Sequence, residues 1–229
     1  MCNDYIISLY FYDNKISLQN FRDCFEKLLK IISIFIFMEY EVLNEELLHD
    51  GFLKIRKAII SHDRFSNDKP LECERELVDK GDFAAVLIYE RDTDQLLFIK
   101  QFRYPTVKYG DGWILEIPAG GIEEGEDPVE CAIREVEEET GYKISSDLKH
   151  ITTCYSTPGG STERMLLYYA EVSENDQVTK GGGLQDEGED IQLCKYPTSE
   201  IDRLLCTEIV DSKTIIALQW FKLNNLKQK

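Results

Sequence analysis

A chain of 229 residues with 43% hydrophobic side chains is long enough to bury its own core, as one domain with an appendage or two small domains. Its formal net charge of -17, from 43 acidic against 26 basic side chains, excludes a surface built to coat nucleic acid or anionic lipid, because both need clustered Lys and Arg. A phosphate-bearing substrate would need cations brought to it, as bound metal and a few arginines.

Residues 1–37 are rich in Ile, Phe and Tyr but show no clean helical or strand period. The apolar run Leu28 to Phe37 is interrupted by Lys30 and is about half the ~20 residues a spanning helix requires, so no membrane anchor is expected. Asp4, Asp13, Asp23 and Glu26 precede it and no small-residue cleavage site follows, which argues against a signal peptide. The stretch reads as an extension outside the native protein, with Met38 as the start. The alternative is an N-terminal helix packed on the domain.

Phe52 to Ile60 and Leu71 to Val78 read as two strands around a polar loop, Asp63 to Pro70, giving a small antiparallel β unit over residues 38–80. A hairpin follows, Ala84 to Tyr89 and Leu96 to Phe102, turning through Asp92, Thr93 and Asp94. Trp113 to Ile117 is a short strand and Pro118 to Gly125 a glycine-containing loop. Pro128 to Thr140 is the best-specified helix: Asp127 is a natural N-cap, Pro128 suits the first helical position, Glu130 can complete a capping box and Gly141 can supply the left-handed stop. Further strands are expected at Leu148 to Tyr155, Met165 to Val172 and Ile191 to Tyr196, and helices near Ser199 to Cys206 and Ser212 to Leu223. Strands on both sides of a central helix, closed by terminal helices, describe a mixed α/β (α+β) sandwich over residues 81–229.

The cysteines Cys2, Cys24, Cys73, Cys131, Cys154, Cys194 and Cys206 are odd in number and widely spaced, with no Cys-x-x-Cys pair. They read as reduced thiols of a cytoplasmic protein, with Cys131 and Cys154 as small core residues. His49, His62 and His150 fall outside every motif.

On the Pro128 to Thr140 helix, Val129, Ala132, Ile133 and Val136 form one apolar stripe. Away from it, Glu135, Glu138 and Glu139 stand at i, i+3 and i+4, so three carboxylates share a face. Like charges at that spacing cost a bare helix a few tenths of a kcal/mol per pair, and a bridging cation would relieve it. Oxygen-only ligands point to magnesium or manganese.

Gly120, Glu126, Arg134, Glu135, Val136, Glu138, Glu139, Gly141 and Tyr142 follow in order and spacing the Nudix box, and the chain resembles that family. The resemblance implies a Nudix α/β/α sandwich. It implies the carbonyl of Ala119 together with Glu135, Glu138 and Glu139 as magnesium ligands, Arg134 as the residue that orients the carboxylates, and Glu126 as a brace.

Outside the box, Gln101-Phe102-Arg103-Tyr104, Leu115-Glu116-Ile117-Pro118-Ala119-Gly120 and Ser156-Thr157-Pro158-Gly159-Gly160-Ser161-Thr162-Glu163 resemble the ADP-ribose pyrophosphatase branch of the family. Physically, Arg103 offers a fork of donors for phosphate oxygens, while Glu116 and Glu163 could bind hydroxyl or amino groups, unless Glu163 pairs with Arg164. The run Gly181-Gly182-Gly183 followed by Asp186, Glu187, Glu189 and Asp190 has the composition of a flexible acidic loop that closes over a metal site. In the resembled branch one loop glutamate acts on the attacking water and another contacts metal, which maps to Glu187 and Glu189. The same loop resembles the GDP-mannose and UDP-glucose pyrophosphatases, so the base and sugar stay open.

The expected activity is magnesium-dependent hydrolysis of a nucleoside diphosphate-sugar, ADP-ribose first, to a nucleoside monophosphate and a sugar phosphate. By analogy a homodimer is expected, with no nucleic-acid or membrane partner. Two rivals are a non-hydrolytic ADP-ribose sensor, which the complete box disfavours, and a sanitising hydrolase for oxidised triphosphates, which would need neither the N-terminal strands nor the Pro158 segment.

Overall fold

The computed structural model describes residues 38–66 and 68–225, so the reading of residues 1–37 lies outside the described residues. Two compact units divide them. The smaller takes in the described residues up to Leu48 together with Arg56–Glu76, and the larger takes in His49–Ile55 and the chain from Leu77 onward.

The smaller unit is built on a three-stranded antiparallel sheet, in the order β1 (Tyr40–Asp50), β2 (Lys54–His62), β3 (Leu71–Asp79), with the end of β3 continuing into the larger unit. The sequence reading had two of these strands. It missed β1 because every residue of Tyr40–Asp50 is exposed. No buried face imposes an apolar alternation there, and period 2 is the signal by which strands are read.

The larger unit is a mixed sheet between helices. Its strands are β4 (Phe83–Glu90), β5 (Gln95–Phe102), β6 (Trp113–Glu116), β7 (Ala119–Gly121), β8 (Lys149–Tyr155), β9 (Arg164–Val172) and β10 (Gln192–Pro197), and its helices are α1 (Pro128–Thr140), α2 (Ile201–Thr207) and α3 (Ser212–Asn225). The path runs β10-β5-β4-β9-β8, with β6 beside β5 and β7 beside β4. β4 and β9 are parallel, and the other described pairs of this sheet are antiparallel.

β4 and β5 are buried on both faces, which is why they read as nearly continuous apolar runs. Ala85, Leu87, Leu96 and Phe98 join Leu204 of α2 and Leu218 and Phe221 of α3 in one core. The alternate residues Ala84, Val86, Ile88 and Leu97 join Cys131, Ala132 and Val136 of α1 in the other. Full burial of each large apolar side chain contributes roughly 1.5–3 kcal/mol, so these two cores hold the three layers together.

The feature that positions the site is a split in the sheet. β4 and β5 pair only through Ile88–Glu90 and Gln95–Leu97. Beyond that they diverge, and Phe83–Ala85 pairs with β7 while Ile99–Phe102 pairs with β6. Pro118, between β6 and β7, is tied to β4 by the bond from the Val86 N–H to its carbonyl, 3.0 Å. Residues 119–121 were expected in a loop and are a strand, because pairing with β4 overrides their glycine content. Glu116 and Ala119 therefore sit at a fork in the sheet.

Candidate functional site

Helix α1 has the predicted bounds. The Asp127 carboxylate accepts from the Val129 N–H at 2.8 Å, Pro128 opens the helix, and Gly141 at φ 76° closes it, its N–H donating to the Glu137 carbonyl. The reciprocal capping contact expected from Glu130 is not among the bonds of the described residues. The buried stripe is rotated from the one expected: Cys131, Ala132 and Val136 are buried and Ile133 only half so, while Glu139 is 1% exposed. That rotation turns Glu135 and Glu139 towards the sheet.

Arg134 is the hub of this face. Its Nε and Nη2 grip the two oxygens of Glu126 at 3.0 and 3.2 Å, and Nη1 donates to Glu135 Oε1 at 2.6 Å and Glu138 Oε2 at 3.2 Å. The Glu126 carboxylate also accepts from the Glu123 N–H, so one arginine locks the preceding loop to the helix. The Arg134 guanidinium beside Glu126 holds its carboxyl below the usual range.

Glu139 accepts from the Ala119 N–H at 2.9 Å, which joins α1 to β7. Burial pushes its carboxyl well above the usual range, against that hydrogen bond, and the charges of Glu135, Glu116 and Glu189 add to the push. Burial likewise raises Glu135, although Arg134 opposes it and Glu138 and Glu189 add to it. Gly120 lies directly under Glu135, where a Cβ would collide with the carboxyl group. Cys131 is sealed beneath, its Sγ donating to the Gly120 and Gly121 carbonyls, and burial pushes its thiol up to about 12, so it is no nucleophile.

The triple glycine is not a flexible hinge. Gly181, Gly182 and Gly183 all have positive φ, 61°, 115° and 78°, and lie against the last turn of α1. The Gly183 N–H donates to the Glu138 carbonyl and the Gly182 N–H to the Glu139 carbonyl, both at 3.0 Å, satisfying acceptors that a helix end leaves open. A Cβ on Gly181 would meet the Glu139 carbonyl. From this anchored base the chain brings Glu189 back, its carboxylate accepting from the Leu184 N–H at 2.9 Å. Glu187 is exposed on the single 3-10 turn Gln185–Glu187 and its side chain makes no hydrogen bond to the described residues.

Glu116, 3% exposed, accepts from Arg103 Nε at 2.8 Å through one oxygen and from Lys213 Nζ through the other. Both oxygens are engaged by cations of the chain. Glu163 stands apart from this cluster, paired with Lys80, while Arg164 pairs with Asp82 at 2.5 Å. The alternative Glu163–Arg164 pair is thus replaced by two others. Lys213 and Asp211 were missed in the sequence. The signal was an Asp-x-Lys-Thr at the start of a helix, which alone says only that the helix is capped.

The charge of Glu189 acts on both Glu135 and Glu139, those of Glu135 and Glu116 act on Glu139, and the carboxylate donors are all hard oxygens. Glu135, Glu139 and Glu189 fit a divalent cation, because a positive charge would offset the burial and repulsion that now raise Glu135 and Glu139, whereas Glu116 is already met by Arg103 and Lys213. Among the described residues no three His, Cys, Asp or Glu side chains are already gathered around one point for a metal. Arg134, the Ala119 N–H and the Leu184 N–H each hold an oxygen, of Glu135, Glu139 and Glu189 respectively. No helix of the described residues is long and apolar enough to cross a membrane.

Comparison with known proteins agrees with this architecture. The chain is 32% identical over 191 residues to an ADP-ribose pyrophosphatase of Haemophilus influenzae, covering 81% of this chain and 87% of the relative. It is 32% identical over 193 residues to a GDP-mannose pyrophosphatase of Cronobacter sakazakii, covering 82% and 98%, and 34% identical over 193 residues to one from Yersinia enterocolitica with the same coverage. The crystal structure of an ADP compounds hydrolase shares the fold, with a TM-score of 0.65 over 83% of this chain and 96% of that one, at 20% identity. The model of the NUDIX domain matches residues 81–229, and the chain belongs to the Nudix family.

Proposed function

We propose that the protein is a magnesium-dependent hydrolase of nucleoside diphosphate-sugars, with ADP-ribose as its first substrate. The observation that carries this is the buried Glu139, held against the sheet fork by Ala119 within a group of carboxylates that repel one another. Such an arrangement is costly without a cation and stable with one.

A bound divalent cation supplies charge neutralisation for the diphosphate and lowers the pKa of a water. Glu135, Glu138, Glu139, Glu189 and the Ala119 carbonyl are the proposed ligands, magnesium first and manganese as a substitute. Arg134 holds Glu135 and Glu138 in register from Glu126. Glu187 takes or steers the proton of a water that attacks one phosphorus, the bridging P–O bond breaks, and ADP-ribose yields AMP and ribose 5-phosphate. Arg103 binds phosphate oxygens, Glu116 acts at the same place, and Glu163 takes a substrate hydroxyl.

GDP-mannose is the second substrate reading, supported by the relatives of that name at 32 and 34% identity over 82% of this chain and 98% of theirs. The test is phosphate release, coupled to a phosphatase, on ADP-ribose, GDP-mannose, UDP-glucose, NADH and 8-oxo-dGTP with and without magnesium. Fastest turnover of ADP-ribose is expected; silence on all five with tight binding of one overturns the hydrolase in favour of a sensor.

We place the enzyme in the cytosol on its free thiols, among them the exposed Cys206. We propose a homodimer on the open flank of β1, which exposes Tyr40, Val42, Leu43, Leu47 and Leu48. Light scattering that gives a monomer mass would refute it.

A further inference from the structure

Arg103 and Lys213 lie 110 positions apart in the chain and share one buried carboxylate, Glu116. Lys213 is 6% exposed, and its ammonium also meets Asp211 Oδ2 at 3.1 Å. Asp211 is itself fixed, accepting from the Thr214 N–H at 3.0 Å and the Thr214 hydroxyl at 2.6 Å. That hydroxyl in turn accepts from the Ile117 N–H at 2.9 Å, the residue after Glu116. The first turn of α3 is thereby bolted to the end of β6. Two cations and two carboxylates close the cluster, so its charge balances internally.

Arg103 is the member that faces outward, with 42% of its side chain exposed. Only its Nε is committed, to Glu116. Its Nη1 and Nη2 make no hydrogen bond to the described residues, and a guanidinium is rigid and planar, so fixing Nε fixes the direction of the free edge. That edge is the pair of donors suited to two oxygens of a phosphate. Glu116 also lies close enough to Glu139 to act on its charge, which puts the arginine beside the acidic group.

We infer that Lys213 is a positioning residue for substrate binding: with Asp211 it locks Glu116, and Glu116 aims the free edge of Arg103 at the diphosphate. This rests on the proposed function for the identity of the ligand, and it assigns Glu116 to the arginine rather than to a hydroxyl of the substrate. Loss of Lys213 leaves Glu116 with one partner and Arg103 with a carboxylate that is free to turn. The substrate loses affinity, while the carboxylates of α1, which do the chemistry, keep their geometry.

A double-mutant cycle on ADP binding, followed by calorimetry in magnesium, tests it without needing turnover. Lys213→Met in the native background is expected to weaken ADP about tenfold, and Arg103→Ala at least as much. In the Arg103→Ala background, Lys213→Met is expected to add less than twofold. Equal weakening in both backgrounds, or none in the native one, overturns the inference. Lys213→Arg, which keeps the charge, is expected to recover most of the binding, and serves as the single variant if Lys213→Met does not fold. In the hydrolysis assay the Lys213→Arg and Lys213→Met proteins are expected to differ in KM with kcat within about threefold; a fall confined to kcat also overturns it. Failure of the native enzyme to hydrolyse any nucleotide sugar would refute the proposed function and leave the binding cycle readable.

Discussion

Helix α1 and the segment from Gly181 to Asp190 both set the positions of glutamates, and they do so by opposite means. On α1 the positions of Glu135, Glu138 and Glu139 follow from helical geometry alone, since i, i+3 and i+4 share a face in any helix. In the later segment nothing local sets where Glu187 and Glu189 lie. Their placement comes from three glycine residues whose N–H groups cap the end of α1 and whose positive φ lets the backbone approach it. The helix supplies a rigid row of carboxylates, and its own unsatisfied carbonyls hold the loop that brings Glu189 near them. A glycine run can thus be the most constrained part of a loop rather than its hinge.

The largest expected effect separates the chemistry of the helix from its stability. Glu139→Gln keeps an acceptor for the Ala119 N–H but removes the buried charge, so turnover should fall roughly 10²–10³-fold while the melting temperature of the metal-free protein at neutral pH stays level or rises. A melting temperature that drops by many degrees would show Glu139 to be structural instead. Glu187→Gln tests the other region. Glu187 is exposed, and in the proton-accepting role proposed for it the substitution should cost about 10²-fold in kcat with no change in melting, while an unchanged kcat would move the role to another residue.

Gly181→Ala attacks the joint between the two regions. The new Cβ meets the Glu139 carbonyl at a φ of 61°, and the strain should cost roughly 1–3 kcal/mol. Chemical denaturation measures that loss, and activity titrated with magnesium should need a higher concentration once Glu189 is displaced. A variant as stable as the parent would restore the flexible-loop reading.

The smallest effect is one of pH. Glu135 and Glu139 have folded-state carboxyls raised above their unfolded values, so the folded protein holds these protons more tightly than the unfolded chain. Stability of the metal-free protein should therefore fall as pH rises from the ordinary carboxylate range through the raised values, and level off above them. Glu126 and Asp82, which are lowered, have delivered their contribution by the bottom of that window and do not compensate within it. Thermal melts between about pH 4.5 and 8, with and without magnesium, measure this. The fall should shrink or vanish with the cation, and a slope unaffected by it would separate these carboxylates from metal binding.

The bounds of α1 and the two buried strands β4 and β5 were legible in the amino-acid sequence because each is a local statement: caps, a helical period, a run of apolar residues between turn formers. So was the row of glutamates, since their spacing is the information. Three things were decided only by tertiary structure. β7 is a strand because β4 leaves β5 and needs a partner. The glycine run is ordered because a helix end has carbonyls to satisfy. Glu116, expected to bind a substrate hydroxyl or amino group, is the shared partner of Arg103 and Lys213 because burial forbids a lone carboxylate and the cations come from a strand end and a helix start far apart in the chain. Local patterns declare what a segment can form, but unmet hydrogen bonds and buried charges are settled by whichever distant group the fold brings to them.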